Sequence, residues 1–364
     1  MNGPIQAIIQ KYGGDETRLM DILIDLQDEL GFLSRETVAD IARALRVPQV
    51  DVEQTVSFYH FFARAPRGKF AVYLNDGVVA EFCGRAEVAQ AFEAAAGCRF
   101  GEVSADGVVG LFQTACIGMS DQEPAALING QVFPRLTPEK ARELVAGMRA
   151  GRTIAELKGD RYGDGRNAHP LVRALVQNHI RRRGSMVFGD YQPGEALRKV
   201  VGLSSDEVIA TVKAASVRGR GGAGFPTGMK WEFAHRAPGE VKYIFCNADE
   251  GEPGTFKDRV ILTEIPQLVF EGMAIAGYAV GARQGILYIR NEYHYLRAYL
   301  EQVLAEMRAQ NLLGVMIAGK AGFHFDLKIQ YGAGAYVCGE VSALIEYAEG
   351  KRGEPRDRPP FPVE

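Results

Sequence analysis

No stretch of this 364-residue chain approaches the roughly 18 consecutive apolar residues that a membrane-spanning helix requires, so a span is excluded. Cysteine is scarce: five residues, an odd number at wide spacing with no C-x2-C pair. That pattern argues against a disulfide framework and leaves a reducing cytoplasm as the simplest compartment. Histidine is also sparse, and its six copies show none of the paired spacing of a metal site. The formal charge is only −3, which gives no electrostatic reason to expect a nucleic-acid partner. The one basic run, at residues 181–183, reads as a solvated helix end. The opening M-N-G-P-I-Q-A-I-I-Q-K lacks the basic start, apolar core and cleavage site of a signal peptide. What remains is an ordinary globular composition, 47% hydrophobic and 24% charged, with length for about two or three domains.

Apolar periodicity divides the chain. Over residues 18–30, Leu19, Ile22, Leu23, Leu26 and Leu30 form one helical stripe, and Gly31 follows as a C-cap. Helical patterns continue over 37–45 and 50–62. Residues 70–74 (F-A-V-Y-L) predict a strand, 85–95 a helix, 107–112 and 126–128 short strands, and 138–148 a closing helix. Strand–helix–strand–strand–helix fits a thioredoxin-like layer. Residues 151–200, rich in Gly, Arg and Asp, read as a linker that wraps onto a neighbouring surface. Beyond it, Ser205 and Asp206 cap a helix reaching 217, followed by a strand over 242–246 and a helix over 266–280. A strand over 285–290, a long helix over 292–310, a half-buried strand over 323–330 and a helix over 341–348 complete the alternation. The expected fold class is α/β: a helical bundle (1–65), a thioredoxin-like domain (66–150), a linker (151–200), then an α/β domain (201–364) with a largely parallel sheet.

Two glycine-and-acid stretches carry the chemistry. The first is R-G-R-G-G-A-G-F-P-T-G-M-K-W (218–231) followed by C-N-A-D-E-G-E-P-G-T-F-K-D-R (246–259). The second is G-A-G-A-Y-V-C-G-E (332–340) followed by E-G-K-R-G-E-P-R-D-R-P-P-F-P (349–362). Gly219, Gly221 and Gly224 satisfy G-x-G-x-x-G, yet a helix precedes them and F-P-T-G follows. The dinucleotide fingerprint needs a strand before and a helix after, so the ordinary Rossmann reading is disfavoured. A bland turn is disfavoured too, because such glycine density costs backbone entropy. Backbone amides that approach a phosphate, with Lys230 downstream, predict contact with a phosphorylated cofactor. Asp249, Glu250 and Glu252 alone would read as a solvated, salt-bridged loop. Their place at the C-terminal end of a strand, where open α/β sheets bind ligands, favours a site instead. Asn247 can hydrogen-bond a ring edge there, and the helix dipole favours Glu340 as an anion.

Together these residues resemble the flavin-bearing, NADH-oxidising subunit of respiratory complex I and its soluble relatives, over about 200–364. Residues 1–150, with T-V-S-F-Y-H-F-F at 55–62, resemble the small thioredoxin-like iron–sulfur subunit of that complex. The fusion, with T-A-C-I-G-M-S-D-Q-E-P at 114–124, looks most like the flavin (diaphorase) subunit of NAD-reducing nickel–iron hydrogenases. The resemblance implies FMN and NAD as cofactors. Gly219, Arg220, Gly221 and Lys230 would hold the FMN phosphate side and ring, with Asn247, Asp249, Tyr336, Gly339 and Glu340 completing that site. Phe225, Phe233 and Phe361 would stack on the nicotinamide nucleotide, with Glu250, Glu252 and Arg358 beside it. Hydride would pass between nicotinamide and flavin, and single electrons between flavin and iron–sulfur clusters, with no side chain needed as a general base. The implied partners are an iron–sulfur diaphorase subunit and a nickel–iron hydrogenase dimer. Equivalent subunits of an NAD-dependent formate dehydrogenase or of complex I, and a non-catalytic scaffold, are the alternatives.

Three departures from the family pattern shape the expectation. Small-subunit relatives hold a two-iron cluster on four cysteines, whose positions here are Asn75, Ala80, Cys116 and Ser120. One thiolate cannot hold such a cluster, so the thioredoxin-like domain is expected to lack it, with Cys83 and Cys98 as core or surface thiols. Val341 stands where many relatives carry another acid, which removes a contact to the nucleotide ribose. The family also continues past P-P-F-P into a four-iron cluster segment, whereas this sequence reaches only Glu364. The expectation is that it is an N-terminal portion, or that electrons leave by another route, with the cluster on partners. Cys246 and Cys338 read as packing residues.

Overall fold

Two four-stranded sheets organise the chain in the computed structural model, which describes residues 3–184 and 187–363. In the first, β1 (Phe70–Asn75) runs parallel to β2 (Val109–Thr114), and β3 (Ala126–Ile128) returns antiparallel on the other side of β1. Every residue of β1 is buried, which is why its sequence is a continuous apolar run and not an alternation. A short β4 (Gln131–Phe133) follows through a hairpin that the periodicity did not reveal. Its signal is the dipeptide Asn129–Gly130, both at positive φ (46° and 75°), as a two-residue hairpin turn demands. The helices Arg85–Ala96 and Pro138–Arg149 pack together over this sheet, around Val72, Leu74, Phe92, Leu111 and Leu144. This is the expected thioredoxin-like layer.

The second sheet has the order β5 (Tyr243–Ala248), β6 (Gln284–Ile289), β8 (His324–Tyr331), β7 (Gly314–Val315). The first three are mutually parallel and only β7 is antiparallel, matching the expected largely parallel sheet. Helix Pro266–Val280 links β5 to β6 and lies close on the sheet. A Cβ at Gly277 would sit 2.4 Å from the Phe325 ring, so this glycine sets the helix–strand distance. Several boundaries differ from expectation. Ser204, not Ser205, is the cap of the following helix, because its hydroxyl and Glu207 form a reciprocal capping box. The helix expected over 292–310 is a 3-10 turn (Asn291–Leu296) joined to an α-helix (Arg297–Ala309), broken at Tyr293. The helix expected to reach 62 ends at Phe58, and Tyr59, Phe61 and Phe62 turn inward instead. The arginines at 181–183 are exposed in coil, not at a helix end.

The four N-terminal helices (Gly3–Lys11, Leu19–Leu30, Arg35–Leu45, Gln49–Phe58) share one hydrophobic core with the α/β domain. Tyr59 meets Tyr347 edge-to-face at 5.6 Å, and its hydroxyl accepts from the Gly353 N–H at 2.8 Å. The segment after residue 150 is fastened by two acids of the α/β domain. Glu264 accepts from the Asn178 amide, while the buried Glu271 accepts from the N–H groups of Gly194 and Leu197, both at 2.8 Å. Ser185 and Met186 of this segment lie outside the described residues. Among the described residues no single helix is long and apolar enough to cross a membrane.

Candidate functional site

The parallel strands β5, β6 and β8 end side by side at Ala248, Ile289 and Tyr331, and the loops leaving them converge. Asp249 is buried between Gly251 and Gly339: a Cβ at either glycine would lie 2.5 Å or 2.9 Å from its Oδ2. These two glycines are therefore required by the carboxyl group they flank. Asn247 ties the same loops together, donating from Nδ2 to the Gly339 carbonyl at 2.8 Å. Burial pushes the Asp249 carboxyl up to about 7; Arg290 and the Gly251 N–H pull it down, but Glu292 opposes them.

The remaining acids are held differently. Glu252 accepts from the Tyr336 hydroxyl at the exposed rim. Glu340 caps helix Val341–Ala348, accepting from the N–H groups of Ser342 (2.8 Å) and Ala343 (3.0 Å), and pairs with Arg358. Burial would raise its carboxyl, but the bonds from Ser342 and Ala343 and the Arg358 charge hold it below the usual range. Glu250, expected beside the nucleotide, turns its side chain fully inward. Its backbone sits at φ 45°, and its carboxylate accepts from the N–H groups of Asp258 and Arg259 and from the Tyr293 hydroxyl. That side chain caps helix Lys257–Glu264 and does not face the site.

The first glycine loop is a narrow projection. The Gly219 N–H bonds to the Phe225 carbonyl at 2.9 Å, and Arg218 bridges to Pro226. Between them a Cβ at Gly221, Gly222 or Gly224 would meet nothing within 4 Å, so backbone lies open to a bulky anion. Arg220 and Lys230 are exposed on either side of the turn. Helix Thr227–Arg236 carries Lys230 and packs on helix Pro266–Val280, which covers β5. Phe225 and Phe233 stand 6.5 Å apart, 46% and 43% exposed, and Phe361 is 50% exposed. An open glycine turn, two exposed cations and solvent-facing aromatic rings fit a phosphorylated flavin and a stacked nucleotide.

The thioredoxin-like domain also reaches this site, which the sequence did not disclose. The loop after β2 presents the Cys116 thiol, which accepts from the Gly254 N–H at 3.5 Å and lies 3.6 Å from the Ser120 hydroxyl. Asn75, another position of the family's cluster ligands, donates to Glu123. Two buried arginines clamp this loop. Arg259 donates to Gly118 O (2.6 Å), to Asp121 (3.1 Å) and to Gln177 O (3.3 Å). Arg290 donates to Cys116 O (2.6 Å), Glu250 O (2.8 Å) and Glu292 (2.6 Å). Their sequence signal was only their place, Arg259 closing F-K-D-R and Arg290 ending the β6 run. Between the two domains lies a partly open cavity of about 290 Å³, lined by Asp249, Arg290, Glu292, Cys116 and His60 among others. Larger cavities of about 490 and 520 Å³ lie against the N-terminal helices.

Residues 212–364 match the family described as the Nuo51 FMN-binding domain, and residues 5–149 the thioredoxin-like [2Fe-2S] ferredoxin family. The alpha subunit of the NAD-reducing hydrogenase HoxS of Cupriavidus necator is 48% identical over 365 residues, covering all of this chain and 60% of that subunit. A subunit of the NADH-quinone oxidoreductase of Rhizobium meliloti is 52% identical over 181 residues, 49% of this chain and 43% of that protein. The crystal structure of an NAD+-reducing [NiFe]-hydrogenase in the air-oxidized state superposes with a TM-score of 0.81 at 37% identity, over 96% of this chain and 57% of that one. The chain thus spans less than two thirds of the length of each of these relatives.

Proposed function

Since this chain is a relative of the NAD-reducing hydrogenase alpha subunit along its whole length, and of an NADH-quinone oxidoreductase subunit along half of it, we propose that it is a diaphorase module. It exchanges hydride with NAD(H) and single electrons with iron–sulfur clusters, inside an NAD-reducing hydrogenase. FMN, when bound, supplies the chemistry of converting a two-electron hydride into single electrons. The chain's own residues bind and align. Gly219, Arg220, Gly221 and Lys230 take the phosphate side, and Asn247, Asp249, Tyr336, Gly339 and Glu340 line the ring. Phe225, Phe233 and Phe361 stack on the nucleotide, with Glu252 and Arg358 at its rim. The observation that carries this reading is an open glycine turn flanked by the exposed rings of Phe225 and Phe233, in a chain whose parallel strands end in a glycine-lined loop around the buried Asp249.

The partners in this reading are an iron–sulfur diaphorase subunit and a nickel–iron hydrogenase dimer, with a four-iron cluster on them or on a further segment of the polypeptide. Five free cysteines suit a reducing cytoplasm. The chain divides near residues 65, 150 and 200, and its thioredoxin-like domain works as a buttress without a cluster, because three of the four ligand positions are Asn75, Ala80 and Ser120. The test is a visible spectrum of the protein isolated anaerobically, titrated with NADH. A flavin band that bleaches supports the reading; no flavin in the native complex refutes it. Lys230→Ala should lower flavin occupancy, and unchanged occupancy would remove Lys230 from the site.

A further inference from the structure

Hydride transfer leaves a proton unaccounted for. Reduction of FMN by NADH to the neutral dihydroflavin follows NADH + FMN + H⁺ → NAD⁺ + FMNH₂: the hydride brings both electrons, and one proton must come from elsewhere. Building on the diaphorase reading, we infer that Asp249 is the immediate donor of this proton and that the cavity between the two domains is the route by which solvent recharges it. In the step, the Asp249 O–H bond breaks, its proton goes to the flavin, and the carboxylate left behind is reprotonated from solvent through the cavity.

Geometry carries the inference. Asp249 is 6% exposed and lodged between Gly251 and Gly339, on the loops proposed to line the flavin ring. Its other side faces the cavity of about 290 Å³, which has room for several waters. Polar groups that water would satisfy are present, since Glu292 Oε2 and Arg290 Nε are buried with no partner in the protein. The titratable and charged groups facing Asp249 come from every packed element: Arg290, Glu292 and Tyr288 from the β6 end, Cys116 from the thioredoxin-like domain, His60 from the N-terminal segment, and Tyr336 from the loop after β8. Cys338 lies behind it, its thiol pushed up by burial to about 11. Among the described residues lining the cavity, Arg290 is the one fixed cation, and it is paired with Glu292 at 2.6 Å. Asp249 is therefore left without a counter-charge of its own, and burial raises its carboxyl to about 7, so that about half of the folded molecules carry the proton at neutral pH. A hydride acceptor beside a neutral carboxylic acid needs no bulk proton at the moment of transfer.

The test mixes holoprotein anaerobically with NADH in weak buffer, following flavin absorbance and a pH-indicator dye together. In the wild type, proton uptake from solvent should lag behind flavin bleaching, with transient loss of a protonated-carboxyl infrared band. Glu292→Gln, which removes the charge that opposes Arg290 beside Asp249, should shorten the lag. Asp249→Asn should abolish the lag and the infrared transient. Uptake synchronous with bleaching in the wild type, or an unchanged lag in Glu292→Gln, would overturn the inference even if Asp249→Asn fails to hold flavin. Failure of NADH to bleach the flavin at all would instead strike the diaphorase reading.

Discussion

Asp249→Asn has a consequence for the ligand-free protein that can be calculated. Folding raises this carboxyl from 3.8 to about 7, mainly through burial. A shift of about three units corresponds to about 4 kcal/mol at 1.36 kcal/mol per unit. The group is almost wholly buried, so solvent screening takes little from that figure. Because the folded value is raised, the native state binds the proton more tightly than the unfolded chain. The contribution is fully present below about pH 4 and is lost as pH rises through about 7. An amide does not titrate. The stability of Asp249→Asn relative to wild type should therefore rise by about 4 kcal/mol between those limits, whatever constant offset the substitution adds. Urea unfolding followed by fluorescence reports this, because the one tryptophan, Trp231, packs against the α/β core. Glu123, also pushed by burial to about 7, titrates in the same window but is common to both proteins and cancels in the difference. A difference that stays flat from pH 4 to 8 would mean that Asp249 is ionised in the folded protein, and the charge account of the cavity would fall with it.

Three further outcomes are expected. Arg259→Met should cost about 3–5 kcal/mol, because Asp121 and two buried carbonyls lose their guanidinium, and calorimetry should resolve the two halves as separate transitions. Gly118→Ala should destabilise by about 1–3 kcal/mol: the residue sits at φ 75° and its Cβ would fall 2.1 Å from the Tyr293 hydroxyl, loosening the bond to Glu250, as a urea midpoint would register. Phe225→Ala should raise the NADH KM about fivefold, the equivalent of about 1 kcal/mol of stacking, with flavin content unchanged; lost flavin with an unaltered KM would move Phe225 to the other ligand.

What could be read from the residues alone follows their periodicity. The stripe over Leu19–Leu30, the buried run of β1 and the helix Pro266–Val280 were legible because one face or one length of apolar sequence defines each. The β3–β4 hairpin was missed because three-residue strands carry no period, and only the Asn129–Gly130 turn marks it. The break at Tyr293 was missed because Tyr293 is turned inward by a tertiary bond to Glu250, not by local propensity. At the site, glycines and carboxylates were legible by type and position on strand ends. The inward turn of Glu250 was not, since it depends on a positive φ and on the N–H groups eight and nine residues later.

The same limit explains why the sequence, which predicts a thioredoxin-like domain without a cluster, does not show how that domain acts on the site. Burying Arg259 and Arg290 without compensation would cost several kcal/mol each. Most of that compensation comes from a single loop: Gly118 O, Asp121 and the neighbouring Gln177 O satisfy Arg259, while Cys116 O joins Glu250 O and Glu292 on Arg290. Both arginines in turn fix the acidic loop, Arg290 through the Glu250 carbonyl and Arg259 from the helix that Glu250 caps. Stripped of that loop, Arg259 would lose the carboxylate of Asp121, and Arg290, beside Asp249, would keep only Glu292 and the Glu250 carbonyl. Arg290 would then act more strongly on the Asp249 carboxyl, which its charge already pulls downward. The thioredoxin-like domain thus contributes to the electrostatics of the site through Asp121 and through backbone carbonyls that no motif encodes.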